Sequence, residues 1–217
     1  FDVTADWYVY NGQSEFVNST INAGNILIGM ASSVPANASV DLYSTEVNLS
    51  GGSNKVGDSG GEGFLTLHDG AVINVNKPFY LGSVAGGKGT MTLEEGSRFN
   101  SVMTQETEKG VYVGDYGEGH IVMNGGEFNF KSSNPSKYNA YCMILGNSAN
   151  SSGSVEMNDG VMNIETDAAL VVSANGDGEF LMKGGVLTTD QIRLGWGLNA
   201  EARGVFRQTG GTVNVTT

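Results

Sequence analysis

The chain has 217 residues, a formal net charge of −12 at pH 7 and a sequence pI near 4.4. Because phosphate contacts need clustered Lys and Arg, this charge argues against nucleic acid as a partner. The single cysteine, Cys142, excludes an internal disulfide, and no stretch has the roughly 18 apolar residues of a membrane helix. The 33 glycines and 3 prolines, with abundant Val, Thr, Asn and Ser, favour short strands joined by tight turns.

The first 24 residues do not follow the pattern of the rest of the chain. We interpret residues 1–24 as an N-terminal cap or a degenerate first coil, because a stacked repeat needs its terminal core covered. Residues 25–217 can be aligned as seven coils, each with three short strands.

A short frame recurs within these coils and is clearest in GHIVMNGGEFNF at residues 119–130. It has a glycine, an apolar residue at +2, usually Met or Leu at +4, and a second glycine at +7. A fixed frame with variable gaps between copies indicates a repeat protein whose loops are free to vary. The six copies begin at Gly63, Gly89, Gly119, Gly153, Gly178 and Gly204.

Period-2 alternation predicts which residues face the interior. In the first strand of each coil, 13 of the 14 predicted inward residues are apolar, and Asn54 is the exception. Leu194 and Val215 are among the residues predicted to point inward near the C-terminus. Glycine every seven or so residues is hostile to helix, and connections between parallel strands are almost always right-handed. The sequence therefore predicts an all-β fold, a right-handed parallel β-helix or β-solenoid.

The repeat frame resembles the repeats of bacterial surface-exposed β-solenoids in three segments, V-G, G-x-h-T-h-x-x-G and h-N-h, where h is an apolar residue. These are the passenger domains of autotransporters and related adhesin-like proteins, within the pectin-lyase-like class of right-handed parallel β-helices. The resemblance covers residues 25–217 and implies export to the cell surface or the extracellular space. The chain stops at TVNVTT without a polar cap, so we expect further coils or a further domain to follow.

Two carboxylate pairs are candidates for acid/base chemistry, since residues in stacked coils repeat about every 4.8 Å. Asp69 and Glu95 occupy the same turn position in adjacent coils, and Asp58 and Asp115 follow a glycine two coils apart. We prefer the interpretation as solvated turn residues, because Asp next to Gly is ordinary turn chemistry. No Lys or Arg lies in a matching row, and neither His68 nor His120 has a partner at metal or triad spacing.

Three glycine- and acid-rich loops, at residues 57–63, 114–119 and 175–179, are candidates for Ca²⁺. They match neither the EF-hand loop nor the nonapeptide repeat that binds calcium in β-rolls. We therefore predict no cofactor and no metal site, with Ca²⁺ as the alternative.

Two outward rows are candidate binding surfaces. The first is an asparagine row on the third strand, which we expect to form an amide ladder rather than a saccharide-binding strip. The second is an apolar and aromatic stripe on the first strand, which a loop such as the insert at residues 131–141, a neighbouring domain or a partner chain would cover. The asparagine row is Asn48, Asn74, Asn100, Asn129, Asn163 and Asn214, and the stripe is Leu27, Tyr80, Tyr112, Ile144 and Val171.

These observations favour a non-catalytic bacterial module, secreted or on the cell surface, that acts in adhesion or structural presentation. Its expected partners are host or surface glycans or proteins, or further copies of the chain. The alternatives are a carbohydrate-active β-helix enzyme and a phage-type fibre segment. A groove that gathers two carboxylates and a basic residue from adjacent coils would favour the enzyme, and a flat face lined by Asn and Tyr would favour binding.

Overall fold

A computed structural model describes residues 5–30, 36–103, 110–132 and 142–216. Throughout this part of the chain the structure is all-β, a parallel β-solenoid of about seven turns. This confirms the predicted β-solenoid. The strands are β1 (Trp7–Val9), β2 (Gly12–Val17), β3 (Thr20–Ala23), β4 (Ile26–Met30), β5 (Asn37–Tyr43), β6 (Glu46–Leu49), β7 (Asn54–Asp58), β8 (Glu62–Leu67), β9 (Val72–Val75), β10 (Phe79–Leu81), β11 (Lys88–Leu93), β12 (Arg98–Met103), β13 (Gly110–Val113), β14 (Glu118–Ser132), β15 (Cys142–Leu145), β16 (Ser152–Val172), β17 (Asp177–Met182), β18 (Val186–Leu194), β19 (Gly204–Gln208) and β20 (Thr212–Val215).

The strands stack in three parallel columns, which form three faces of the solenoid. The first face contains β1, β4, β7, β10, β13, β15 and the C-terminal parts of β16 and β18. The second contains β2, β5, β8, β11, the N-terminal parts of β14 and β16, then β17 and β19. The third contains β3, β6, β9, β12, the C-terminal part of β14, the middle of β16, the N-terminal part of β18 and β20.

The N-terminal residues form a coil of their own, which we call the first coil (β1, β2 and β3). Its strands pair in register with β4, β5 and β6 of the coil that follows. Inside it, the rings of Trp7 and Phe16 meet edge to face at a centroid distance of 4.9 Å. The coil at the other end of the described structure, the C-terminal part of β18 with β19 and β20, is called the last coil.

The interior is filled by rows of apolar side chains, one from each coil. Ile121 and Met123 of β14 are fully buried, and so are Phe128 and Phe130 on the next face, which confirms their predicted inward orientation. Asn54 is also buried, and its amide is satisfied by backbone, since it accepts from Ile26 N at 3.3 Å and donates to Gly51 O at 2.8 Å.

The last coil departs from the predicted pattern. Leu194 and Val215 were expected to face the interior, but they are 54 % and 53 % exposed. Inward and outward side chains still alternate along these strands. Among the described residues, however, the strands pair with a neighbouring coil on one side only, so the inward side chains remain exposed on the other side.

Gly114 shows why the corners between faces need glycine. Its φ is +74°, in the left-handed region that side chains avoid, and a Cβ at this position would overlap the carbonyl oxygen of Ser152 in the next coil. In one coil Ser173 takes the place of this glycine at φ 74°, and its hydroxyl donates a hydrogen bond to Gly176 O at 2.8 Å. The corner glycines thus allow the coils to stack closely.

Candidate functional site: the asparagine groove

The asparagines of the third face form a continuous amide ladder. The Nδ2 group of Asn74 donates to Oδ1 of Asn48 at 2.9 Å, and Asn100 donates to Asn74 at the same distance. Asn129 and Asn163 continue the ladder at 3.1 and 2.9 Å. The predicted ladder of hydrogen bonds is therefore confirmed for these five residues.

The ladder begins one coil earlier than the sequence suggested. Asn48 Nδ2 donates to Oδ1 of Asn22 at 3.0 Å, and Asn22 lies in β3 of the first coil. The residue was missed because the first 24 residues do not match the repeat frame. At the other end, Thr188 separates Asn163 from Asn214 in the same row, so the regular amide spacing is interrupted before Asn214.

A groove of about 670 Å³ runs along the N-terminal half of this ladder, and we call it the asparagine groove. It crosses four consecutive coils, from β3 to β12. No charged residue lines it. The carboxylate of Glu46 contacts one lining residue, since its Oε1 accepts a hydrogen bond from Asn74 Nδ2 at 3.2 Å. The polar residues that line the asparagine groove are Asn22, Asn48, Ser50, Asn74, Asn76 and Asn100.

The ladder leaves hydrogen-bonding capacity for a ligand. A side-chain amide has two N–H donors and an oxygen with two lone pairs. An internal ladder residue such as Asn100 uses one donor and one lone pair for its two ladder neighbours. At Asn74 the second donor is also used, since it binds Glu46 Oε1 at 3.2 Å. The groove therefore presents a row of uncharged amides about 4.8 Å apart, whose capacity beyond the ladder differs from one residue to the next.

The apolar stripe predicted on the first face is mostly not a surface. Leu27, Ile144 and Val171 are 6 %, 1 % and 0 % exposed, so the folded chain itself buries them. Ile144 and Val171 belong to a small apolar cluster outside the main core, against which Tyr112 packs. Because buried side chains do not present a binding surface, the exposed stripe narrows to Tyr80 and Tyr112. Of the insert proposed as a cover, residues 133–141 lie outside the described residues.

Tyr80 and Tyr112 stack on each other in adjacent coils. Their ring centroids are 5.0 Å apart at an interplanar angle of 12°, and both side chains are half-buried. Burial raises the pKa of Tyr112, with a further contribution from the nearby phenol of Tyr80. The phenol is therefore neutral at physiological pH and acts as a hydrogen-bonding group.

The predicted pair Asp58 and Asp115 does not form an isolated carboxylate pair. Asp58 is buried and binds Lys55 Nζ at 3.1 Å and Ser83 Oγ at 2.7 Å. This basic partner comes from the same strand, β7, and not from a matching row of a neighbouring coil. Burial raises the pKa of Asp115, although its hydrogen bond from Asn147 Nδ2 at 2.7 Å acts in the opposite direction. Asp69 and Glu95, the other predicted pair, are both exposed.

A second groove of about 380 Å³ lies on the second face, across three consecutive coils. It is lined by Ser154, two carboxylates, Asp177 and Glu179, and by Arg203 of the last coil. These are the residue types that would favour an enzyme. Sequence analysis missed them because they come from three successive coils, with Ser154 in β16, Asp177 and Glu179 in β17, and Arg203 just before β19. Both carboxylates are exposed, however, whereas a general acid is normally held in a desolvated site.

Each histidine has a polar partner in the adjacent coil that sequence analysis did not identify. His120 Nδ1 lies 2.7 Å from Ser154 Oγ, and burial lowers the pKa of the imidazole. His68 Nε2 lies 3.2 Å from Asp41 Oδ1, and its ring stacks on Tyr43 at 3.9 Å. These contacts join residues 25 to 34 positions apart in sequence, so local spacing could not reveal them.

Within the described ranges, no three or more His, Cys, Asp or Glu side chains are grouped to hold a metal ion. In the same part of the chain, no helix has the length and hydropathy needed to cross a membrane.

The fold defines the protein as a parallel β-solenoid with an amide ladder on one face. Family models, curated proteins and solved structures were all compared with the chain, and none of them matches it.

Proposed function

We propose that the chain is a non-catalytic β-solenoid module of a bacterial protein, secreted or at the cell surface, which acts in adhesion. We further propose that the asparagine groove binds a neutral glycan laid along the coil axis. The observation that carries this proposal is the array of uncharged amides that repeats once per coil along the groove. The resemblance of the repeats to autotransporter passenger and adhesin-like β-solenoids supports the proposed location.

The chemistry of the groove selects the class of ligand. Sugar hydroxyls both donate and accept hydrogen bonds, which suits a row of amides that carry both N–H donors and a carbonyl oxygen. The chain carries a net charge of −12, so its field opposes the approach of anionic polymers. The surroundings therefore favour an uncharged polysaccharide over an acidic one.

A glycan array with the 217-residue chain, followed by titration of the best neutral oligosaccharide, tests the proposal. Asn76 lines the groove and is exposed, so Asn76→Trp should block the groove while leaving every ladder residue in place. We expect binding to weaken roughly tenfold or more, which corresponds to about 1.4 kcal/mol.

The matched control is Thr90→Trp, on the second face between Phe64 and His120 in the neighbouring coils. It adds the same side chain away from the groove and should leave affinity unchanged. If no neutral glycan binds, or if the two variants bind equally well, the asparagine groove is not the site.

The second candidate function is a carbohydrate-active enzyme, and the second groove is the observation that favours it. There Asp177 and Glu179 would supply the two carboxylates, and Arg203 would bind the substrate. A polysaccharide-degradation assay decides between the two functions. Depolymerisation that disappears in Glu179→Gln would replace adhesion by catalysis, and intact polysaccharide would support the binding module.

A further inference from the structure

The hydrogen-bonding capacity of the asparagine groove alternates from coil to coil. Asn48 and Asn100 each donate one N–H to the preceding amide of the ladder and accept one N–H from the following amide. A side-chain amide has two N–H donors, and the second N–H of these two residues has no partner among the described residues. Asn74 lies between them and uses both of its N–H groups, since it also donates to Glu46 Oε1 at 3.2 Å.

The two available donors lie two coils apart, which is about 10 Å along the axis. In an extended β-1,4-linked pyranose chain, successive sugars alternate in orientation, so every second sugar presents the same substituent in the same direction. Equivalent substituents are therefore separated by the length of one disaccharide, which is close to the rise of two coils. A chain of this kind, laid along the groove, would bring one such substituent to Asn48 and the next to Asn100.

Val102 adds an exposed apolar side chain beside Asn100. The two residues are two positions apart in β12, so their side chains point to the same face, about 6.6 Å from each other. The neighbouring strand β9 ends at Val75, which pairs with Ser101, so Val102 extends beyond that strand and is 41 % exposed. The other apolar side chains that line the groove are at most 5 % exposed. A ligand in the groove thus makes its main apolar contact at Val102.

An acetamido group matches both features. Its amide carries one N–H donor and one carbonyl acceptor, which complement the remaining lone pair and N–H of an asparagine side chain. Its methyl group is apolar and would lie against Val102. A hydroxyl group could bond to Asn100 but would leave the valine without an apolar partner. An acetamido group also adds no charge, which suits a chain whose net charge of −12 opposes anionic ligands.

We propose that the asparagine groove recognises a β-1,4-linked chain of 2-acetamido sugars. The acetamido groups of alternate sugars bind Asn48 and Asn100, and the methyl group at Asn100 packs against Val102. This inference rests on the proposed glycan binding and names the class of sugar that the groove selects. Val102 is then the residue that distinguishes an acetamido sugar from one that carries only hydroxyl groups.

Isothermal titration of the 217-residue chain with two tetrasaccharides tests this inference. The probes are the β-1,4-linked tetramers of N-acetylglucosamine and of glucose, which share linkage, length and neutrality and differ in the substituent at C2. We expect the N-acetylglucosamine tetramer to bind roughly tenfold more tightly, because its acetamido groups add hydrogen bonds and an apolar contact. Val102→Ser should weaken the binding of this tetramer about fourfold, the ratio that corresponds to the burial of one methyl group. The same variant should bind the glucose tetramer as the unmodified chain does.

Val17→Ser is the matched control, since it makes the same change at a similarly exposed valine of β2 on the second face. It should bind both tetramers like the unmodified chain. Equal affinity for the two tetramers, or failure to bind either of them, would overturn the inference. A Val102→Ser variant with unchanged affinity for the N-acetylglucosamine tetramer, or with the same loss for both tetramers, would overturn it as well. The proposed glycan binding is tested separately, because another neutral glycan whose binding Asn76→Trp blocks would still support it.

Discussion

Each internal asparagine of the ladder joins its two neighbouring coils through one side chain. Asn100 donates to Asn74 at 2.9 Å and accepts from Asn129 at 3.1 Å. A stacked amide needs no partner from outside its own row, so the ladder holds the coils in register as well as lining the groove. The same residues thus contribute to the stability of the third face and to its proposed binding.

Removal of one ladder amide should therefore reduce stability. We expect Asn100→Ala to lower the free energy of unfolding by about 1–2 kcal/mol, since two partly buried amides each lose a partner. Urea denaturation measures the change. Asn76→Ala is the control, because Asn76 is exposed in the same groove but outside the ladder row. Equal effects of the two substitutions would show that the ladder hydrogen bonds do not stabilise the fold.

Asp115 should make stability depend on pH. Burial raises its folded pKa above the ordinary value of 3.8, so the folded chain binds this proton more tightly than the unfolded chain. Stability is therefore lost as the pH rises from the unfolded pKa through the folded pKa. Asp115→Asn keeps an oxygen acceptor for Asn147 and removes the charge, so we expect it to stabilise the chain at neutral pH.

Chemical denaturation of Asp115→Asn at several pH values measures this effect. The stabilisation relative to the unmodified chain should shrink as the pH falls below the unfolded pKa, where both carboxyl and amide are neutral. A gain that is constant with pH would point to packing rather than to the buried charge.

The asparagine ladder was predictable because asparagine recurs at one position of the repeat. Contacts between two different residue types in adjacent coils were not predictable in this way. His120 and Ser154 share a row and a 2.7 Å contact, yet nothing in two different side chains 34 positions apart indicates that they meet. The prediction of an exposed stripe on the first face was wrong for a related reason. Alternation predicts that the side chain of Ile144 points away from the core, but not that other parts of the chain bury it.

Glycine occurs at the corners between strands for two different physical reasons, and the sequence alone does not tell them apart. Gly114 and Gly195 both follow the first strand of a coil, with φ +74° and +61°. A Cβ at Gly114 would overlap Ser152 O of the next coil, while a Cβ at Gly195 would have no atom within 4 Å. One corner needs both the backbone conformation and the space, and the other needs the conformation alone.

Alanine at the two corners should therefore have unequal costs. We expect Gly195→Ala to destabilise the chain by about 1 kcal/mol, the strain of a left-handed residue. Gly114→Ala should cost at least twice as much, because the strand of the next coil must also move. Urea denaturation of the two variants measures the difference. A similar cost at both corners would mean that close stacking is not what requires glycine.

At the scale of the whole molecule, each coil is stabilised mainly by the coils on either side. The repeat frame predicted the inward rows because the same alternation recurs in every coil. It was wrong for Leu194 and Val215 since burial depends on a neighbour, which alternation within one strand does not reveal. Position along the stack should therefore decide how much an interior residue contributes.

Phe128 and Phe206 provide that comparison. Phe128 is fully buried and stacks on Phe99 at 5.0 Å, with coils on both sides, whereas Phe206 stacks on Phe180 at 5.1 Å and is partly exposed in the last coil. We expect Phe128→Ala to cost about 3–5 kcal/mol through the cavity that it leaves. Phe206→Ala should cost clearly less, because solvent already reaches that ring.

Hydrogen exchange followed along the chain shows how far each effect spreads. In Phe128→Ala, protection should fall in the coils on both sides of β14, since nearest-neighbour contacts couple them. In Phe206→Ala, the loss should stay within β17, β19 and the adjacent part of β18. Equal and uniform losses in both variants would indicate that the solenoid unfolds as one unit, and that the stability of a coil does not depend on its place in the stack.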